Sequence, residues 1–259
     1  MNSFGTLFVK ELVEAWRDKK LVWLPVVMCI LAILQPISLY YMPQIMNKAG
    51  NLPPGTEIKI PVPTGEEVLA GTLSQFGVLG IAIVVLSVMG SIAAERNSGV
   101  LSLIMVRRVS PLQYIGSKWA AQAVMLLASF AASYLLACYY TALLFNQVAW
   151  TRILASLGIY SLWILFAMTI TLGAGTLLRK SGGIAGISLA FIAALSLCSS
   201  LFPRFMKWSP SNAQSQAAKL LTEGAGSASL PVMLVSAAVL IAVIFFAAVA
   251  CFKRYETYS

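Results

Sequence analysis

The chain contains no histidine and a single aspartate, Asp18, among its 259 residues. These shortages remove whole classes of chemistry. Serine hydrolysis through a Ser–His pair has no base to work with. A H-E-x-x-H zinc site has no ligands, and an aspartyl dyad lacks its second member. Adjacent Glu66 and Glu67 resemble the start of an E-E-x-x-x-R motif, but position 71 is Gly71. No G-x-x-x-x-G-K-[ST] phosphate cradle occurs, because Lys180-Ser181 follows Arg179 rather than glycine. Cys29, Cys138, Cys198 and Cys251 are isolated, which leaves neither a CxxC metal pair nor a disulfide framework. The expectation is a chain that is not an enzyme, with no catalytic, cofactor-binding or metal-ligating residue.

Charge is also scarce. Only 10% of residues are charged and 59% are hydrophobic, against roughly a quarter charged and about half apolar in a soluble domain. The net charge of +9 does not point to nucleic acid, because the basic residues lie between apolar runs rather than on a polar face. Anionic lipid headgroups are the counter-charge this layout fits.

What is present is six charge-free runs, at 21–41, 76–94, 119–145, 153–178, 182–202 and 230–252. Each is long enough for a hydrocarbon core that takes about 20 helical residues. The runs are continuous rather than alternating, so they read as helices. None holds an ionisable side chain, which argues against proton-coupled antiport. Twelve of the 18 Lys and Arg fall in 1–20, 95–118, 179–180 and 253–259, and six in the other three connections, 42–75, 146–152 and 203–229, which are longer in total. Positive residues collect on the cytoplasmic side, so both termini are expected inside. The predicted fold is all-α and integral to the membrane, one domain of six spans over 1–259.

Caps and amphipathic patterns complete the layout. Residues 1–20 place Phe4, Phe8, Leu12 and Trp16 on one helical face and Lys10, Glu11, Glu14 and Arg17 on the other, the pattern of an interfacial helix. Thr64 and Glu67 form a T-x-x-E capping box that starts a short helix leading into the second span. Ser209-Pro210 predicts another helix over 210–223, closed by Gly224. Gly182 and Gly186 form a G-x-x-x-G at the start of the fifth span, a pattern common in apolar helices.

The segment 93–118, AAERNSGVLSLIMVRRVSPLQYIGSK, stands apart. Asn97 or Ser98 caps a short helix reaching Val106, Arg107 and Arg108 suit its C-terminal end, and Ser110-Pro111 starts a second helix. The apolar residues between those charges read equally as a snorkelling surface hairpin or as a face for a groove on a soluble partner.

The order of these elements resembles the permeases of type-2 ATP-binding-cassette exporters, the ABC-2 superfamily. The local match is E-R-x-x-G-[TV]-L followed by V-S-x-x-x-[IY]-[IL]-x-[GS]-K. Here it is carried by Glu95, Arg96, Gly99, Val100, Leu101, Val109, Ser110, Tyr114, Ile115, Gly116 and Lys118. Arg108 stands where many members have proline before the Val-Ser pair. The resemblance implies a subunit of an exporter in a bacterial-type cytoplasmic membrane. It implies a separately encoded ATPase that binds ATP and Mg, a second permease copy (identical or a paralogue), and an amphipathic, lipid-like, peptide or drug substrate. In that picture 95–108 is a coupling helix: Glu95 and Arg96 orient it, Leu101 and Ile104 are docking anchors, and Gly99, Arg107 and Arg108 belong to the same ATPase-coupling set. Ser87, Ser91, Ser196 and Ser199 are the candidate polar groups of a substrate path. The rival expectation is a non-transporting scaffold that recruits a cytoplasmic partner through the same segment.

Overall fold

The computed structural model describes residues 3–49, 62–106 and 109–256. Among these residues every regular element is helical. Helix α1 (Ser3–Arg17) is followed by an elbow at Lys19, whose φ of 55° puts a non-glycine residue in the left-handed region. Such a conformation costs about 1–2 kcal/mol, so the turn into α2 (Lys20–Ala49) is held by what surrounds it.

The second span is longer than 76–94. Thr64 caps α3 (Gly65–Gln75) with the reciprocal Glu67 bond, and the helix then runs on without a break. A π-helical turn (Phe76–Gly80) joins it to α4 (Ile81–Val88). The membrane-length unit is Gly65–Asn97 and includes α5 (Ala93–Asn97). No proline or charge between Val68 and Ala94 stops the helix, which is why the capped start and the span fuse. After α5 comes Gly99 at φ 75°, a turn that only glycine makes without strain, and then α6 (Val100–Met105). Arg107 and Arg108 lie outside the described residues.

Ser110 accepts from the Gln113 backbone, Pro111 takes the first position, and α7 (Pro111–Leu144) runs uninterrupted into the third span. Helices α8 (Trp150–Leu177), α9 (Ser181–Leu201) and α11 (Leu230–Glu256) supply the remaining spans. Among the described residues, six helices are therefore long and apolar enough to cross a membrane. Helices α7 and α8 form the centre: α2 and α1 lie along α7, while α4, α9 and α11 surround α8. An aromatic cluster ties the middle together, with the Phe130 ring edge-to-face with Phe76 at 5.4 Å and stacked on Tyr160 at 5.1 Å.

At one end of the bundle, Ser209 caps a 3-10 turn (Pro210–Asn212) that leads into α10 (Ala213–Glu223). This helix wedges between α3 and α8 and buries Ala213, Ala217 and Leu221. Gly224 closes it at φ 73°, and a Cβ there would stand 2.7 Å from the Arg152 guanidinium. Gly224→Ala is thus expected to cost about 1–2 kcal/mol, read as a lower thermal midpoint in detergent; an unchanged midpoint contradicts the close approach.

Candidate functional site

At the opposite end, four helices bring their charged residues into one buried cluster. Helix α7 presents Tyr114, Lys118 and Gln122 at four-residue spacing, hence on one face. Lys118 is 1% exposed, and its Nζ lies 2.7 Å from Glu11 Oε1 and 3.1 Å from Glu95 Oε1. The Tyr114 hydroxyl donates to Glu95 Oε2 at 2.5 Å, and its ring stacks on Phe252 of α11 at 5.0 Å. From α1, Lys10 pairs with Glu95, and also with Glu14 at 3.1 Å. Lys20, at the start of α2, donates to the Ser87 carbonyl and to Gln122 Oε1. Arg96 reaches past the cluster to the carbonyls of Thr176 (3.2 Å) and Leu178 (3.3 Å), closing the C-terminal end of α8.

The first helix is therefore turned differently from the expectation. Glu11 does not join a solvated back but faces α7 from between Leu7 and Ala15, while Trp16 is 68% exposed. Phe4 is also exposed, and Phe8 and Leu12 are half-buried. The signal was present: positions 7, 11 and 15 form one helical row, and the charge in that row marks a partner rather than solvent. The carboxylate oxygens of Glu11, Glu14 and Glu95 lie within 4.8 Å of one another. Two ammonium groups, Lys10 and Lys118, already supply the positive charge that spacing calls for.

Each ion here gives up hydration, so the pairing is stable only while complete. Burial alone would lower the Lys10 pKa, but the Glu95 hydrogen bond and the Glu11, Glu95 and Glu14 charges outweigh it and hold the ammonium above its ordinary value. A raised pKa means this stabilisation is full below the unfolded value of about 10.4 and fades only as pH climbs through the folded one. Tryptic cleavage within α1 is expected to stay flat from about pH 7 to 9 and to rise only in stronger alkali. Loosening that begins between about pH 7 and 9 would contradict the assignment to Lys10.

The other candidate residues divide between the two ends. Leu101 is 8% exposed and belongs to the bundle core, and Ile104 packs against that core. Neither is free to anchor a partner, because α6 turns that edge inward. Its outward side is Val100 and Leu103, followed by Val106 just past its end. Ser87 and Ser91 line a small cavity of about 280 Å³ beside the charge cluster. Ser199 instead accepts from Ser211 at 2.6 Å at the far end, and Ser196 is half-buried on α9. The four serines do not converge on one path within the chain.

No protein-family model matches the sequence. Over 258 residues, covering 100% of both chains, it is 44% identical to the uncharacterized transmembrane protein YxlG of Bacillus subtilis (strain 168). The chain belongs to the YxlG family. Membership agrees with the six apolar helices and makes this a multi-pass membrane protein in contact with the bilayer. In this YxlG-family chain exposed apolar side chains of α2, α9 and α11 lie on the outside of the bundle, and the charge cluster closes one end of it.

Proposed function

We propose that the chain is the permease subunit of an ATP-driven exporter of the ABC-2 type. The observation that supports this best is the form of the 93–106 region. Helix α5 is rooted in the bundle by Glu95 and Arg96, and α6 leaves it with Leu103 70% and Val106 82% exposed. A short apolar helix on a rigid root is what a lever seated in a partner's groove requires. The positive-inside distribution puts this end in the cytoplasm, where the partner is an ATPase that binds ATP and Mg. Docking passes from Leu101 and Ile104 to Leu103 and Val106, with Gly99 setting the angle between root and lever.

Movement of α6 would then reach three places at once. Lys10 and Lys118 carry it to α1 and α7, and Arg96 carries it to the turn between α8 and α9. A second permease copy completes the transporter, and an amphipathic molecule is its cargo. Co-expression with a Walker-A ATPase from the neighbouring reading frame tests the reading: the two should copurify in detergent. Recovery of the permease alone, with the ATPase folded and soluble, counts against it. Stable association with no effect on ATP turnover favours the scaffold.

A further inference from the structure

A cavity of about 720 Å³ opens between α3, α7 and α8, at the end of the bundle away from the charge cluster. That volume lies within the roughly 300–1,000 Å³ of small-molecule sites. Its floor is apolar and buried: Leu69, Cys138 and Ile153 are each less than a tenth exposed. From Leu135 to Ala142 it follows α7 for about 10 Å, then opens at Asn146 and Gln147. Two aromatic side chains, Tyr139 at 62% and Trp150 at 66% exposure, stand along it.

The mouth has a charge preference. Asn146 accepts from the Gly65 backbone and donates to Glu66 Oε2 at 3.3 Å, so a carboxylate sits directly behind the opening. Glu67 follows at the same helix start. Among the described residues the nearby cation is Arg152, 3.9 Å from Glu66 and engaged with the Leu221 carbonyl. Among the described residues two carboxylates stand behind this opening against one guanidinium, and two exposed aromatic side chains lie along the groove, a combination that attracts an ammonium group. The apolar floor below it suits one hydrocarbon chain. The geometry points to a binding site for a single-chain ammonium amphiphile, its chain over Leu69 and Cys138 and its head between Tyr139 and Trp150. This site is separate from the charge cluster and stands whether or not the chain works with an ATPase.

Cys138 supplies the readout. With Cys29, Cys198 and Cys251 replaced by alanine, it is the sole thiol, and its reaction with N-ethylmaleimide can be followed in maltoside detergent. Dodecyltrimethylammonium at ten times its Kd should slow that reaction about tenfold, and dodecyl sulfate should not. Radiolabelled dodecyltrimethylammonium retained through gel filtration reads the same site without the thiol. Trp150→Ala, an exposed change that spares the fold, should abolish the preference for the ammonium probe. Equal protection by both detergents, preference retained in Trp150→Ala, or a diacyl phospholipid held to the exclusion of the probe would each overturn the assignment.

Discussion

Replacing Lys118 by methionine is expected to remove most of the folded protein from detergent extracts. The side chain is 1% exposed and shares Glu11 and Glu95 with Lys10. Without it, one half-exposed lysine faces three carboxylates, Glu11, Glu14 and Glu95, two of them buried. Removing one partner of a buried pair costs about 3–5 kcal/mol, because the remaining charge cannot regain its water. That is a large share of the about 5–15 kcal/mol that holds a typical domain. Neutralising both sides, with Lys118→Met joined to Glu11→Gln and Glu95→Gln, should recover a substantial part of the loss. Thermal melting of the purified variants reads both effects. A Lys118→Met protein that melts with the wild type removes the buried cluster as a structural element.

Leu103→Asp combined with Val106→Asp should leave the fold intact and end association with the proposed ATPase partner. Both residues point outward, so a charge at either meets water or headgroups rather than a core. In a docked complex they would be the apolar anchors. Anchors of that kind are worth about 2 kcal/mol each, and losing even one weakens binding by about thirtyfold. Leu101→Asp makes the contrasting case. That residue is in the core, so the change should cost stability first and association only as a consequence. If the double variant copurifies as well as the wild type, α6 is a surface hairpin and not a docking element.

Much of this architecture was legible from spacing and caps. Charge-free runs of about 20 residues can satisfy their backbone in lipid only as helices, and six such helices are found. Thr64, Ser110, Ser209 and Gly224 mark helix ends because each answers a local need of the backbone, and each acts as a cap here. What stayed hidden depends on distance along the chain. Glu11 meets Lys118 across 107 positions and Lys10 meets Glu95 across 85, so neither pair has a sequence signature. Periodicity puts Glu11 and Glu14 on the charged face of an interfacial helix, and it carries no sign that a buried lysine of another helix meets that face. The resemblance implies Leu101 as an anchor, while periodicity gives the apolar face of α6 but not which way that face turns. The serines were grouped by polarity alone, and packing sends Ser87 and Ser199 to opposite ends of the bundle.

The central claim is that α6 delivers work done on ATP to the bundle, and ATP turnover tests it most directly. The chain and the ATPase proposed as its partner, reconstituted together in liposomes, should hydrolyse ATP at a rate that depends on the chain. Substrate amphiphile should change that rate, and Leu103→Asp with Val106→Asp should return it to that of the ATPase alone. Turnover indifferent to the permease, or unchanged in the double variant, would contradict the account.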